Sequence, residues 1–151
     1  MKTSDYWNEE TGIARYIIKD NNKTYVGCAQ CHDEDKDMQS EKIGLTIAMY
    51  RAAIDCVKGR KAEAKLVLKA YNHLWSCMEQ STTQFNPKSY EATMIKRKIK
   101  QLETEIQNYD YTIAALKIAI QGYITAKDAL HKSIRSIRSN NTVKNEPSEN
   151  Q

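Results

Sequence analysis

Apolar residues follow two periods along the chain, and the first part has the pattern of β-strands. Residues 12–19 are mostly β-branched and aromatic, residues 20–22 (Asp-Asn-Asn) have turn chemistry, and residues 24–31 form a second strand-like run. This pattern predicts a β-hairpin over residues 12–32. Because two strands alone are only marginally stable in water, we expect the hairpin to dock on a helix.

Helical periodicity begins near residue 40. An apolar stripe with spacings of three and four residues predicts a helix over residues 40–58, with Asp37 or Ser40 as its N-cap and Gly59 as its stop. The stripe consists of Ile43, Ile47, Tyr50, Ile54 and Val57. A second helix is predicted over residues 60–80. Its apolar face consists of Leu66, Ala70, Leu74 and Cys77.

The last predicted helix, residues 88–138, is the most regular feature of the sequence. Thirteen positions from Ile95 to Ile137, the seam, alternate at spacings of four and three residues, with Lys127 as their one polar exception. At 1.5 Å per residue this helix is roughly 75 Å long, about twice the width of a domain of this size. We therefore expect other copies of the chain to cover the seam, in a homo-oligomer between a dimer and a hexamer. An intrachain hairpin with the helices over residues 40–80 is the alternative.

These elements together predict an α+β fold, mostly α, with an N-terminal β-hairpin docked on helices and a long, coiled-coil-like C-terminal helix. Only two Pro and five Gly among 151 residues argue against an all-β sandwich or barrel. We expect residues 1–138 to form a single domain. The segment 139–151 is polar and lacks periodicity, so we expect it to be disordered.

Charge is unevenly distributed, which narrows the classes of partner. Residues 1–45 carry nine acidic and six basic side chains, whereas residues 46–138 carry eight acidic and sixteen basic ones. A basic helical region attracts nucleotides, nucleic acids or acidic protein surfaces. The isoelectric point of 8.8 is below the value of about 9 that marks nucleic-acid binders, so nucleic acid is the less favoured partner. The sequence contains no apolar run of about 18 residues and no signal-peptide core, which predicts a cytosolic chain without a membrane span.

The four cysteines admit several interpretations. The segment 28–32 (Cys-Ala-Gln-Cys-His) has the spacing of a c-type haem attachment site, but haem attachment requires an exported chain, and no export signal is present. A redox-active dithiol requires a βαβ setting, which the predicted elements do not provide. Cys28, Cys31, His73 and Cys77 have the donor types of a tetrahedral zinc site. We expect reduced thiols with no metal and no cofactor, and a zinc-stabilised nucleic-acid-binding module stays as an alternative.

Catalytic motifs are absent from the sequence: it has no P-loop, G-x-G-x-x-G, G-x-S-x-G or H-E-x-x-H. We therefore expect a binding protein, not an enzyme. A nucleotide-like ligand needs cations for its phosphates and flat side chains for its bases. Phe85 and Asn86 precede the long helix, and Arg97 lies in a basic run in its first turns. A coiled-coil adaptor that binds another protein is the competing function.

About 25 residues resemble a motif of the Thoeris anti-defence sponge family of phages, G-x-A-x-C-H-x-x-D followed on a helix by G-x-x-x-A-x-x-R-A. The matching residues are Gly27, Ala29, Cys31, His32, Asp35, Gly44, Ala48, Arg51 and Ala52. The resemblance implies a non-enzymatic protein of the host cytoplasm that sequesters cyclic ADP-ribose isomers, and in some members cyclic oligonucleotides, in a symmetric hexamer. The resemblance also implies that Cys31 and His32 have a structural role in the motif.

The resemblance also suggests where ligands bind. It implies Phe85 and Asn86 for the cyclic ADP-ribose pocket. Arg135 and Arg138, which are three residues apart and share a helix face, are implied for a site on the oligomer axis. The candidate ligand-binding residues are Phe85, Asn86, Arg97, Arg51, Arg135 and Arg138.

Overall fold

The computed structural model describes residues 1–31, 40–81 and 85–144. It has three strands, β1 (Lys2–Asn8), β2 (Ile13–Asp20) and β3 (Lys23–Gln30), and two helices, α1 (Glu41–Glu79) and α2 (Tyr90–Lys144). The strands form one antiparallel sheet in the order β1-β2-β3. The predicted α+β fold class, mostly α, is confirmed. The motif positions His32 and Asp35 and the candidate cap Asp37 lie outside the described residues.

The predicted hairpin of residues 12–32 corresponds to β2 and β3. These strands pair as far as Asp20↔Lys23, so a two-residue turn joins them. Asn21 and Asn22 in that turn have φ of 46° and 61°. Positive φ at both positions matches the type I′ turn, which Asn tolerates better than most residues do.

The strand β1 is an addition that the apolar pattern does not reveal. It pairs with β2 along its whole length and is an edge strand whose residues are exposed as far as Tyr6. Trp7 near its end is half-buried and packs against the core residues Ala14 and Ala48. The sheet therefore gains a third strand from a segment with one core-facing aromatic residue.

Helix α1 begins as predicted and continues without the predicted break. Ser40 is its N-cap, and the Ser40 side-chain oxygen accepts a hydrogen bond of 3.3 Å from the backbone N–H of Ile43. The expected stop at Gly59, which divided this region into helices over 40–58 and 60–80, is wrong. A Cβ at Gly59 would overlap the Tyr25 hydroxyl, so glycine here lets the Tyr25 ring of β3 lie directly on the helix.

Helix α2 packs antiparallel along α1 and forms a helical hairpin with it. Lys61 pairs with Asp110, and the rings of Tyr50 and Tyr123 are 5.9 Å apart. The intrachain hairpin, the alternative interpretation of the seam, is thus what the structure shows for a single chain. Leu102, at 4% exposed, is the most buried seam residue, because one facing helix covers only part of the seam.

The end of α2 lies further along the chain than predicted. The helix continues to Lys144, and residues 145–151 lie outside the described residues. The sequence has neither Gly nor Pro between Gly122 and Pro147, so nothing in it forces the helix to end at residue 138. The Thr142 hydroxyl donates a 2.8 Å hydrogen bond to the carbonyl of Arg138 within this added turn.

The core between the sheet and α1 is built from small side chains. Ala14, Ala48 and Ala52 have no exposed surface, while no large side chain in the described part of the chain is fully buried. Because alanine removes little apolar area from water, this layer is thin and contributes modest hydrophobic stabilisation. Neither helix has a described stretch that is both long and apolar enough to cross a membrane.

Candidate ligand-binding site

An aromatic and cationic cluster lies where α1 ends and α2 begins. The Phe85 ring meets the Trp75 ring edge-on, with centroids 5.5 Å apart and planes at 89°. The Lys96 ammonium lies 5.9 Å from the centroid of the Trp75 ring. Such a cation–π contact is worth about 0.5–1 kcal/mol at an exposed site. Phe85 is half-buried, so part of its ring is exposed beside a positive charge.

An open groove continues from this cluster along the first turns of α2. It has a volume of about 580 Å³, and its lining includes Pro87, Lys96, Arg97, Lys100 and Glu103. That volume is within the range of about 300–1,000 Å³ found for small-molecule sites. Three cations and one carboxylate line the groove, so its field favours an anionic ligand.

A second shallow groove adjoins the first. It shares Arg97 and Lys100 with it and continues past Thr104 to Asn108. The two shared cations therefore lie between neighbouring concave surfaces, where each can contact a phosphate on either side. Arg97 is the predicted site residue that the structure places best for ligand binding.

Two other predicted site residues make contacts within the fold. The Asn86 side-chain oxygen accepts a 2.9 Å hydrogen bond from the backbone N–H of Lys88, which shapes the turn before α2. The Arg51 guanidinium donates to the backbone carbonyl of Cys28, which links α1 to β3. Asn86 is still next to Phe85, whereas Arg51 lies against the sheet and away from the groove.

The last two predicted residues, Arg135 and Arg138, lie at the opposite end of α2. Both are exposed and three residues apart on the helix. Arg97 and Arg135 are separated by roughly 57 Å of helix at 1.5 Å per residue. One chain therefore does not bring Arg135 and Arg138 to the groove, and any ligand contact they make belongs to a second site.

A small, partly open cavity lies between the sheet and the two helices. It has a volume of about 40 Å³, and its lining includes Trp7, Cys31, Ser40, Lys127 and His131. A cavity of this size accommodates a water molecule or two and is far below that of a nucleotide site. Lys127, the one polar residue in the seam, lines this cavity together with His131.

The motif residues that carry the family resemblance form the contact between β3 and α1. A Cβ at Gly27 would overlap the carbonyl oxygen of Ala48, and one at Gly44 would lie 3.1 Å from the Trp7 ring. Ala52 is fully buried next to Gly27. In this chain the described part of the motif thus lets a strand approach a helix closely, which is a structural role.

A salt bridge connects the turn of the β2–β3 hairpin to α1. The Arg60 guanidinium donates hydrogen bonds of 2.9 and 2.8 Å to the Asp20 carboxylate, whose side chain is 11% exposed. The hydrogen bond that Arg60 donates to Asp20 is the main reason that the pKa of Arg60 is raised. Burial raises the pKa of the neighbouring Cys56 thiol, so Cys56 is a neutral, unreactive thiol at neutral pH.

The two pairs of residues considered for a shared zinc site are far apart. Cys28 is on β3 beside Arg51, whereas His73 and Cys77 are near the end of α1. The 22 residues from Arg51 to His73 correspond to roughly 33 Å of helix. Within the described residues no group of three or more His, Cys, Asp or Glu side chains is placed to hold a metal ion.

Two features of these sites escaped the sequence interpretation. The sequence does not identify Trp75 as a site residue, although it lies one turn before the end of α1 and contacts Phe85. The cavity residues Trp7 and His131 were missed too. Lys127, the polar exception in the seam, was the available signal for that cavity.

Comparison with known proteins adds no functional information. No protein-family model, no curated protein and no solved structure matches this chain.

Proposed function

We propose that the protein is a non-enzymatic sponge that sequesters cyclic nucleotide immune signals in the cytoplasm of a phage-infected host. Its ligands are cyclic ADP-ribose isomers, and cyclic oligonucleotides at a separate site. The observation that carries the proposal is a groove lined by Arg97, Lys100 and Lys96. The Lys96 ammonium also lies 5.9 Å from the ring of Trp75, which contacts Phe85. Cations next to exposed aromatic edges are the combination that a pyrophosphate linked to a base requires.

Self-association completes this proposal. The groove is open, whereas small-molecule sites usually bury about 70–90% of the ligand surface. A second copy of the chain that covers the groove would exclude water and strengthen each charged contact with the phosphates. The same symmetry would repeat Arg135 and Arg138 around an axis, which creates the second anion site from side chains that are far from the groove.

Isothermal titration calorimetry with cyclic ADP-ribose isomers tests the proposal. We expect the protein to bind one isomer tightly, and heating the complex should release that isomer intact, as measured by mass spectrometry. Recovery of a cleaved product would show an enzyme. Absence of binding to any cyclic ADP-ribose isomer or cyclic oligonucleotide would refute the sponge function.

Charge-reversal variants locate the binding site. Arg97→Glu and Lys100→Glu should each weaken binding about 10- to 100-fold, because a hydrogen bond to a charged group contributes about 1.5–3 kcal/mol. The matched control is Lys132→Glu, an exposed lysine of α2 outside the groove. Equal losses in all three variants would indicate a general charge effect, and an unchanged affinity in the first two would place the ligand elsewhere.

A protein-interaction adaptor is the second candidate function. The large apolar side chains left exposed on both helices favour it, including Leu66 and Leu74 on α1 and Ile118 on α2. An adaptor predicts a complex of defined stoichiometry with another protein and no bound nucleotide. Native mass spectrometry of the protein from cells that make immune signals would report both at once.

A further inference from the structure

The side chains of His73 and Cys77 are paired on an exposed face of α1. The Cys77 sulfur and His73 Nε2 are 3.6 Å apart, and the residues are one helical turn apart. Both side chains belong to exposed residues, and neither lines the basic groove on α2. The two atoms are within hydrogen-bond distance of each other, and the pair is separate from the proposed ligand site.

The separation of these two atoms matches one edge of a zinc coordination tetrahedron. Zinc–sulfur and zinc–nitrogen bonds of about 2.3 and 2.0–2.1 Å at a tetrahedral angle place the two donor atoms about 3.5 Å apart. The observed separation of 3.6 Å is close to this value. One zinc ion can thus bind both atoms with almost no side-chain rearrangement.

The described part of one chain supplies only half of such a site. Structural zinc ions take four protein ligands, and the described residues contain no third His, Cys, Asp or Glu that joins this pair. Leu66, Ala70, His73 and Cys77 follow one another at spacings of four, three and four, the spacing of a coiled-coil seam, and all four are exposed. Leu66 is 69% exposed, so the stripe has apolar area for a second helix to cover.

We propose that His73 and Cys77 form half of a tetrahedral Cys₂His₂ zinc site, completed by the same two residues of a second copy of the chain. Packing of two such stripes brings both pairs to the same level of the helices and satisfies the coordination of the metal. The site is structural and independent of the proposed ligand, because it uses no residue of the groove.

Zinc binding and mass measured together test the site. The purified protein is loaded with Zn²⁺ under reducing conditions, dialysed, and analysed by elemental mass spectrometry and light scattering. We expect one zinc ion per two chains, with the mass of a dimer or a larger even-numbered assembly that chelation reduces. Substitution by Co²⁺ should produce the visible absorption of a tetrahedral thiolate complex.

Three variants separate this site from other thiol sites. Loss of a residue that only supports a metal ligand weakens metal binding roughly 10- to 100-fold. Because His73 and Cys77 are direct ligands in this proposal, His73→Ala and Cys77→Ser should each weaken zinc binding by more than that. Cys28→Ser, a change at another exposed cysteine, is the matched control and should keep full binding. Circular dichroism should show unchanged helix content, because all three positions are exposed.

Four results would overturn the site. The first is that the protein retains no zinc, and the second is one zinc ion per chain with no change in the mass of the assembly. The third is that Cys77→Ser binds zinc as well as the wild-type protein, and the fourth is that Cys28→Ser loses zinc. The calorimetric result with cyclic nucleotides is separate from all four, so failure of the zinc site and failure of the sponge function are distinguishable.

Discussion

Gly27 is closely packed and Gly122 is in open space, so substitutions at these two glycines test the structural role of the motif that contains Gly27. A Cβ at Gly27 would overlap the backbone of α1, while one at Gly122 would meet nothing within 4 Å. We expect Gly27→Ala to lower the free energy of unfolding by at least about 1–3 kcal/mol, the usual cost of overpacking. Urea unfolding followed by circular dichroism measures this change.

The matched control is the same substitution at the open position. Gly122 is inside α2, where alanine is favoured over glycine by about 0.8–1.0 kcal/mol, so Gly122→Ala should stabilise the protein. If Gly27→Ala were neutral or stabilising as well, the close contact between β3 and α1 would not be a determinant of the fold, and the structural role of the motif would be wrong.

Residues whose conformation depends on near neighbours were predictable from the sequence. The Asn21-Asn22 turn and the Ser40 cap are examples, because each is governed by backbone geometry within three or four residues. Arg51 and Asn86 were predicted as ligand-binding residues, yet the structure shows contacts of both with the backbone. Residue type alone does not distinguish a cation that makes a contact within the fold from one that is available to bind a phosphate.

At the scale of the element, the glycine inside α1 is matched to an aromatic ring from another element. Gly59 costs about 0.5–1 kcal/mol relative to alanine within a helix, but it allows the Tyr25 ring to pack against the backbone. We expect Gly59→Ala to destabilise the wild-type protein because the new methyl group displaces this ring. In a Tyr25→Leu background the same change should stabilise by up to about 1 kcal/mol.

A double-mutant cycle of unfolding free energies measures this coupling between Gly59 and Tyr25. The interaction energy should clearly exceed the roughly 0.3–0.5 kcal/mol within which independent sites add. If the two changes in unfolding free energy were additive, the Tyr25 ring and Gly59 would be independent. The glycine in the middle of α1 would then need another explanation.

Elements with a strong apolar period were predictable, and elements without one were not. The helical regions were recognised because their stripes recur over many turns, whereas β1 is an edge strand with mostly exposed residues. Periodicity also shows which face of a helix is apolar but not what covers it. That is why the seam was compatible both with a hairpin and with other copies of the chain.

At the scale of the whole molecule, the surface is too large for a compact monomer. The accessible area of the chain is 11320 Å², whereas a compact monomer of 17.4 kDa exposes about 7,900 Å². Two long helices that cover each other on one side only contribute to this difference. Obligate homodimers bury about 2,000–5,000 Å² in total, so association through the helices would bring the exposed area closer to that of a compact protein.

The outer face of α2 is the region where this expectation is best tested. Tyr111 and Ile118, which are 65% and 74% exposed, are seven residues apart and share the face opposite the seam. In a monomer, replacing both with glutamate would alter the unfolding free energy by little, since exposed substitutions usually stay within about 0.5 kcal/mol. In an oligomer that uses this face, the two buried charges would break the assembly.

We therefore expect Tyr111→Glu combined with Ile118→Glu to lower the mass measured by light scattering while the helix content stays unchanged. The wild-type protein should also unfold at a temperature that rises with concentration, and the double variant should lose that dependence, because association stabilises only the folded state. Thr112→Glu combined with Gln121→Glu is the control, since it adds the same two charges at exposed polar positions of α2. A monomeric wild type, or equal masses for both variants, would show that this face is not an interface and that α2 needs no covering there.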